Sequence, residues 1–424
     1  MKVKTKPITF EKLQQIKAKK DRKPIKPNLF WRALINLISI PDLLITKFKA
    51  NYINMDKLNK KEPCLILMNH SAFLDLEIAE KVLFPRPFNI VCTYYGFIGK
   101  NWLMYQIGCI PTKKFVTDSK LVRDMVHCIK KLKSSVLMYP EAGYSFDGTK
   151  TTMPNTLGKL VKMLDVPVVT IITYGSFHRQ PLYNNLKKRK VNAKADVKYL
   201  LTKEDIANKN EKELNEIIQN EFNFDQFKWQ QENNILIKEE TRAEGLERLL
   251  YKCPHCLKEG MMNSKGTQIK CNACGNTYEL TENGFLRNIN GETKFDHIPN
   301  WYLWERECVK EELLNDTYKL DTDCDICVMV DTYSIYSLGS GHLTHNKDGF
   351  HLVSDDQKLD YCQKPKSSYS VNADFFWYQI ADTISIGDKN IQYYCFPKEA
   401  KDIVAKARLA TEEMYKIAKA AKRK

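Results

Sequence analysis

The sequence predicts an α/β domain with a mainly parallel sheet, followed by a small cysteine-rich unit and a β-rich region that ends in a helix. Three observations predict this order. Short apolar runs alternate with helix-length segments over residues 63–200, two C-x-x-C pairs follow within 253–274, and residues 276–396 are rich in Tyr, Phe and Thr. Apolar runs of strand length that are separated by helices are typical of a parallel sheet buried on both faces.

Length and composition indicate how many domains to expect, which kind of partner the protein binds and in which compartment it lies. The 424 residues are enough for several domains, for which we expect the boundaries 1–50, 51–245, 246–285 and 286–424. A formal net charge of +15 predicts an acidic partner, which is a membrane surface, a nucleic acid or an acidic carrier protein. Thirteen cysteines without a secretory leader predict a reducing, cytoplasmic compartment in which thiols stay free or bind metal.

The N-terminal region combines a basic tail with the apolar stretch 29–48. Arg32, Asn36, Pro41 and Asp42 interrupt this stretch, whereas a membrane span needs about 20 predominantly apolar residues. We therefore predict two short amphipathic helices that are broken at the proline and lie in the bilayer interface. The alternative is a helix that packs on the protein's own core.

The stretch "CLILMNHSAFLDLEIAEKVLF" (64–84) ends a buried strand on Asn69 and His70. Ser71 is the expected N-cap of the helix that follows, and Asp75 falls one turn into that helix. Its carboxylate is then placed to bind one imidazole nitrogen and leave the other free to take a proton. The pattern predicts a general base with its orienting acid. Because no Ser or Cys nucleophile accompanies them, the attacking group is expected to come from the substrate.

Two further segments are expected at the same edge of the sheet. Glu141 follows the strand 135–139 in "SVLMYPEAGYSFDG", and the carboxyl ends of parallel strands meet where ligands bind. Lys113 and Lys114 in "YQIGCIPTKKF" are candidates for binding an anionic group. Taken alone, the histidine is also compatible with a core position, and the two lysines with a solvated pair.

These segments resemble the glycerophospholipid acyltransferase family, whose members include 1-acylglycerol-3-phosphate acyltransferases. "NHSAFLD" has the family's N-H-x-x-x-x-D form, and "YPEAGYS" resembles its Pro-Glu-Gly block. "VPVVTI" (166–171) is similar to its Pro-containing final block, and "GCIPTKK" stands where the family has a block that ends in a phosphate-binding Arg. The resemblance covers roughly residues 30–230, with the blocks in the family's order.

The resemblance implies transfer of a fatty acyl group from a CoA or acyl-carrier-protein thioester to the hydroxyl of a lysophospholipid, lysophosphatidic acid-like, at the membrane surface. The enzyme would be peripheral on the inner face of the membrane and would form no acyl-enzyme. His70 would be the general base and Asp75 its orienter, with backbone amides near the start of the 72–84 helix stabilising the oxyanion. The substrate-binding residues would be Asn69, Lys113, Lys114, Glu141, Gly143 and Ser145.

One departure from the family concerns the acceptor. Where the family block usually continues Gly-Thr-Arg-Ser, this chain has "AGYS" at 142–145. The Arg that would bind phosphate through two parallel hydrogen bonds is missing there, and a lysine would bind only as a point charge. The identity of the acceptor among lysophospholipids therefore stays open.

Cys253, Cys256, Cys271 and Cys274 form two C-x-x-C knuckles with a 14-residue spacer. This spacing predicts a structural zinc site with four thiolate ligands, in preference to free thiols or a redox pair. The region after it resembles a small pleckstrin-homology-like barrel.

Two rival functions use the same features. The first is a basic zinc-ribbon protein that binds nucleic acid, which leaves the blocks in 63–172 unexplained and lacks an aromatic-interleaved basic stripe. The second is a lipid-binding adaptor with an inactive acyltransferase fold. We expect the enzyme, with no nucleic-acid partner.

Overall fold

The computed structural model describes residues 4–116, 118–398 and 402–421. Residues 1–3 of the predicted basic tail lie outside the described residues, as do 399–401 and 422–424 at the two ends of the predicted last helix. Within the described ranges, no helix combines the length and the apolar character that crossing a membrane requires.

The N-terminal segment forms one strand and two helices in the described residues, which are β1 (Thr5–Pro7), α1 (Phe10–Gln14) and α2 (Leu29–Ile45). The prediction of two helices broken at Pro41 was wrong, because α2 continues through that proline. Pro41 lies close to the end of α2. Because it has no N–H, the helix lacks one intrahelical hydrogen bond there. The last turn is held by the Thr46 N–H, which donates to the Asp42 carbonyl at 2.9 Å.

The α/β region is built on a seven-stranded sheet in the described residues. Its strands are β2 (Lys49–Ile53), β3 (Leu65–Met68), β4 (Phe88–Thr93), β5 (Cys109–Thr112), β6 (Ser135–Met138), β7 (Val168–Tyr174) and β8 (Lys194–Leu201). The strand order is β2-β8-β7-β3-β6-β4-β5, and β8 runs antiparallel to β7. The expectation of a mainly parallel architecture is corrected accordingly: this sheet is mixed, and the other sheets are largely antiparallel. The chain returns from β7 to β8 without the long crossover helix that a parallel pair requires.

Helices cover both faces of this sheet. They are α3 (Leu74–Leu83), α4 (Asn101–Gln106), α5 (Ser119–Lys130), α6 (Leu157–Leu164), α7 (Ser176–Arg179), α8 (Lys203–Asn208), α9 (Glu211–Glu221) and α10 (Gln226–Glu232). Successive side chains of a strand point to opposite faces. Ile66 and Met68 accordingly enter one apolar core with α3, and Leu65 and Leu67 enter a second core with α5, α6 and α9. The central strand is therefore buried on both sides, as its continuous apolar run predicts.

The C-terminal half contains two antiparallel sheets and two helices in the described residues. The small sheet holds β9 (Met262–Lys265), β10 (Gln268–Cys271), β11 (Thr277–Leu280) and β12 (Leu286–Asn288), and α11 (Ile298–Leu314) follows it. The large sheet holds β13 (Leu320–Met329), β14 (Ile335–Asn346), β15 (Gly349–Ser354), β16 (Asp360–Gln363), β17 (Asn372–Trp377), β18 (Ala381–Gly387) and β19 (Gln392–Pro397), and α12 (Ile403–Ala420) follows.

The large sheet has the order β16-β15-β14-β13-β19-β18-β17, and β1 joins it in parallel with β14. Over the described residues its end strands are β16 and β17, and the resemblance to a pleckstrin-homology-like barrel stays a prediction. One apolar core connects this half with the α/β region, because Trp301, Leu343 and Leu409 share it with Phe146 and Phe177. The C-terminal half is therefore packed against the α/β region.

Helix α2 buries polar residues and exposes apolar ones. Arg32, Ser39 and Asp42 are buried, and Arg32 forms an ion pair with Glu80 of α3 at 2.8 Å. Asp42 pairs with Arg179 and with Lys188. Side chains seven residues apart share a helix face, and those two apart point in nearly opposite directions. The apolar residues on the outer side are exposed: Leu29, Phe30, Leu37, Ile38, Leu44 and Ile45. The polar side chains that interrupt the sequence pattern are thus the ones that fix α2 to the domain.

We predict that Arg32→Met destabilises the fold by about 3–5 kcal/mol, because removing one partner leaves the Glu80 carboxylate buried without its counter-charge. Burial raises the pKa of Glu80, and Arg32 opposes that rise. Urea unfolding followed by circular dichroism measures the change. Arg123→Met is the control, since Arg123 is exposed on α5. Equal stability of the two variants would contradict the role given to the buried pair.

Candidate active site

Three neighbouring strands end at one place on the α/β sheet. His70 follows β3 at the centre of the sheet, Glu141 follows β6 on one side, and Thr173 lies at the end of β7 on the other. The parallel register pairs Met68 with Ile171, which sets the ends of β3 and β7 side by side. The sheet therefore collects polar groups that are separated by up to about a hundred residues along the chain.

Asp75 is fully buried and holds several of these groups through its two carboxylate oxygens. Oδ2 accepts the backbone N–H of Ser71 at 2.6 Å and that of Ala72 at 2.9 Å, and it lies 3.1 Å from His70 Nδ1. Oδ1 accepts the hydroxyl of Thr173 at 3.1 Å and the hydroxyl of Ser176. Because a carboxylate only accepts, the His70 proton lies on Nδ1, which leaves Nε2 free to accept a proton.

The imidazole of His70 lies between aromatic rings. It stacks on Tyr139 with ring centroids 3.7 Å apart and planes at 16°, and the Tyr144 ring centroid is 4.3 Å away. Burial lowers the pKa of His70, and the hydrogen bond to Asp75 only partly opposes this. The side chain is 23% exposed, so a substrate can reach it. His70 is therefore oriented and neutral near pH 7, as a general base requires.

Glu141 and Asn69 are buried and bind backbone near His70. Glu141 Oε2 accepts the His70 N–H at 3.2 Å, and Oε1 accepts the Thr151 N–H at 2.7 Å. Burial raises the pKa of Glu141 to about 8. The Asn69 side-chain amide donates to the Thr173 carbonyl at 3.0 Å, and its oxygen accepts the Thr173 N–H at 2.7 Å. Both residues thus position the chain around the histidine.

The start of α3 differs from the expectation. The helix begins at Leu74, and Ser71 is not its N-cap. The amides of Ser71 and Ala72 are bound to Asp75, so the Ala72 amide at the start of the expected 72–84 helix is not free for an oxyanion. The Asp75 carboxylate reaches back over the first turn and satisfies these donors, which a capping side chain would otherwise do.

The two lysines differ in their surroundings. Lys113 is buried, its ammonium donates to the Lys389 carbonyl at 2.7 Å, and burial lowers its pKa. Lys114 lies over the Tyr95 ring, with Nζ 5.4 Å from the ring centroid, and burial lowers its pKa to about 8. Among the described residues no carboxylate forms an ion pair with Lys114. Of the two lysines, Lys114 is therefore the one whose ammonium has no ion-pair or hydrogen-bond partner in the described part of the chain.

The block 142–145 has no regular secondary structure. Ser145 is buried, its hydroxyl donates to the Thr149 carbonyl at 2.6 Å, and it accepts the Gly148 N–H at 3.0 Å. Gly143 is buried, and a Cβ added there would have no neighbour within 4 Å. Ala142 has φ +54°, the left-handed region that glycine adopts most easily. In the family that this segment resembles, the residue after the Glu is a Gly. In this chain that position is Ala142.

A cavity of about 1990 Å³ opens on His70. Apolar side chains of α2 line one side of it, including Trp31, Leu34 and Ile35. The turn after β17 and the end of α12 line it as well, with Tyr378 and Tyr415 among their residues. The cavity is therefore bounded by segments from both ends of the described chain.

The four cysteines of the two knuckles lie together near α11. Their Sγ atoms all lie within 4.8 Å of one another, and the Cys253–Cys274 and Cys256–Cys271 pairs are each 3.7 Å apart. A tetrahedral zinc with Zn–S bonds of about 2.3 Å would separate its sulfur ligands by about 3.8 Å. Gly275 has φ +75°, and its N–H donates to the Cys271 carbonyl at 2.9 Å, closing the second knuckle. The cluster fits a four-thiolate zinc site.

Sequence reasoning missed several residues of the site. The hydroxyls of Thr173 and Ser176 bind Asp75, and their place just after an apolar strand run was a signal for them. Tyr139 precedes Pro140 and Glu141 in a motif already noted, but nothing in the sequence indicated that it stacks on His70. The cavity residues of the C-terminal half are hundreds of positions away, and no local pattern indicated them.

Comparison with known proteins finds one family model that matches the region of the site. Residues 49–174 match the family model described as Acyltransferase, and this range contains β2 to β7 and both His70 and Glu141. No relative was found among curated proteins. Among solved structures, the chain is similar to the crystal structure of the 1-acyl-sn-glycerophosphate (LPA) acyltransferase PlsC from Thermotoga maritima, with a TM-score of 0.37 and 14% identity. That similarity covers 45% of this chain and 76% of the other.

Proposed function

We propose that this protein transfers a fatty acyl group from a CoA or acyl-carrier-protein thioester to the hydroxyl of a lysophospholipid, because residues 49–174 match the family model described as Acyltransferase. The observation that carries the proposal is the His70–Asp75 pair at the cavity, with Nδ1 fixed by the carboxylate and Nε2 free. We propose that the protein is cytoplasmic and binds peripherally to the inner face of the membrane.

The proposed reaction is a direct transfer. His70 Nε2 takes the proton of the lysolipid hydroxyl as that oxygen attacks the thioester carbonyl carbon. The C–O bond forms, the C–S bond breaks, and the leaving thiolate receives the proton from the imidazolium. Asp75 stabilises the imidazolium and keeps the ring in place. Asn69 and Glu141 act through the backbone as positioning residues, and Lys114 binds the acceptor phosphate.

The size of the cavity supports two lipid-like substrates. Small-molecule sites are usually about 300–1,000 Å³, and this cavity is about 1990 Å³. Trp31, Leu34 and Ile35 of α2 line the cavity, while Leu37 and Leu44 of the same helix face outward. A lipid surface in contact with the outer face of α2 would therefore lie next to the site that receives the acyl chains.

We predict that His70→Ala lowers turnover by about 10²- to 10⁴-fold, the usual contribution of general-base assistance. The assay follows formation of acylated lysolipid by mass spectrometry, and circular dichroism verifies that the variant is folded. His127→Ala is the control, because His127 lies on α5 and does not line the cavity. A folded His70→Ala protein with near wild-type turnover would refute the mechanism.

The pH dependence of kcat/KM tests the same residue. A general base must be neutral, and burial lowers the pKa of His70. Activity should therefore fall on the acid side only below about pH 6.5, the ordinary histidine value, and this limb should disappear in His70→Ala. An acid limb that persists in the variant would assign the titration to another group.

We predict that the outer face of α2 binds the membrane. Leu37→Gln, Leu44→Gln and Ile45→Gln together should weaken binding to anionic phospholipid vesicles by about 10- to 100-fold, because apolar burial drives interfacial binding. The paired control is Leu303→Gln with Leu314→Gln, two exposed leucines of α11. Deleting the whole segment would be less informative, since it would also remove β1 from β14. Unchanged flotation of the triple variant would place the anchor elsewhere.

We propose that the four cysteines hold one structural zinc ion in a ribbon over residues 246–285, between an acyltransferase domain (51–245) and a β-rich domain (286–424). Elemental analysis of protein purified without added metal should give one zinc per chain. Chelation should lower the melting temperature, because Tyr278 of the ribbon packs on Trp301 in the shared core. Cys256→Ser should lose the metal, whereas Cys308→Ser should keep it. Full stability without bound zinc would rule out the site.

A further inference from the structure

The lining of the cavity includes two opposite charges that do not form an ion pair with each other. Lys114 follows β5 of the α/β sheet, and Asp374 lies on β17 of the C-terminal sheet. Both line the cavity that contains His70. In the described part of the chain, neither side chain takes part in an ion pair. Burial raises the pKa of Asp374 to about 6 and lowers that of Lys114 to about 8; the charge of each side chain opposes the shift of the other without cancelling it, and both are charged at pH 7.

Aromatic rings stand beside these charges. Tyr95 is edge-on to Tyr378, with ring centroids 5.7 Å apart, and edge-on to Trp377 at 5.6 Å. The Tyr378 hydroxyl donates to the Tyr95 carbonyl at 2.7 Å, which ties the turn after β17 to the α/β region. Lys114 already lies over the Tyr95 ring. Trp377 and Tyr378 follow Asp374 by three and four positions, and aromatic faces attract ammonium and quaternary ammonium groups.

We propose that the acceptor is a lysophospholipid with a zwitterionic head group, whose phosphate binds Lys114 and whose ammonium group binds Asp374. This inference rests on the proposed acyl transfer to a lysophospholipid. A phosphodiester with an attached ammonium presents one charge of each sign and matches the two side chains. A phosphomonoester carries close to two negative charges at pH 7. A phosphomonoester would pair with the Lys114 ammonium, but the Asp374 carboxylate would repel its negative charge.

The proposed preference for a zwitterionic acceptor depends on Asp374, which lies in the C-terminal half of the chain. Asp374 lies outside residues 49–174, which match the family model, and Lys114 lies inside them. The turn that follows Asp374 has Phe376, Tyr378 and Gln379 at positive φ of 54°, 48° and 60°. Non-glycine residues adopt this conformation at a cost, and it persists where surrounding contacts impose it. The contact between Tyr378 and Tyr95 is one such constraint.

The test compares kcat/KM for three acceptors of identical acyl chain: lysophosphatidylethanolamine, lysophosphatidylcholine and lysophosphatidic acid, with one acyl-CoA as donor. The wild type should prefer the zwitterionic acceptors. Asp374→Asn should reduce that preference by about 10- to 100-fold, the usual value of a hydrogen bond to a charged group. The loss on the zwitterionic acceptors should appear mainly in KM. Lys114→Gln should weaken all three, because the phosphate is common to them.

Two variants serve as controls. Asp348→Asn removes an exposed acid on the hairpin between β14 and β15 and should leave the preference unchanged. Asp374→Glu keeps the charge and should keep the preference, which a purely structural role would not require. An unchanged acceptor ratio in Asp374→Asn, or a wild type that acylates only lysophosphatidic acid, would overturn this inference and leave acyl transfer intact. Failure of the wild type to acylate any of the three would refute the proposed function itself.

Discussion

The buried carboxylate of Asp75 is the interaction on which the candidate site depends. An ionised carboxylate in a dry interior is costly unless hydrogen bonds compensate it. Here two backbone amides, two hydroxyls and the imidazole of His70 surround it. Because Thr173 and Ser176 come from β7 and the residues after it, Asp75 is satisfied only when β7 lies beside β3. The catalytic arrangement therefore depends on the strand order of the sheet. If β7 did not pair with β3, the Asp75 carboxylate, which orients His70, would lose two of its hydrogen bonds.

Features encoded within a few residues could be predicted from the sequence. The His70–Asp75 contact follows from a strand end and a spacing of five residues, and the four cysteines follow from the spacing of two knuckles. The place of Glu141 near His70 follows from the rule that parallel strands end at one edge. Features that depend on distant partners could not be predicted. No local pattern in the sequence indicates the antiparallel direction of β8. The same is true of the burial of Lys113 against Lys389 and of the position of Asp374 at the cavity.

Helix α2 shows how a local pattern can be correct and its interpretation incomplete. The polar residues in the apolar stretch were expected to break it into interfacial pieces. In the structure Arg32 and Asp42 are buried and form ion pairs with Glu80, Arg179 and Lys188. The apolar residues are left on the outside because the polar ones are needed on the inside. Amphipathicity alone does not say which face of a helix meets the protein, and here the partner charges on α3 and near β8 decide it.

The cavity has a consequence for how the protein is made. Its walls include α2, close to the start of the chain, and α12, close to its end. Contacts between segments so far apart in sequence form late and slowly. During synthesis the α/β sheet can fold before α12 is translated, so the nascent chain has an open cavity. The apolar residues that line it are then unprotected from aggregation. The cavity takes its final shape only after α12 has been translated and has packed, which makes its formation a late step of folding.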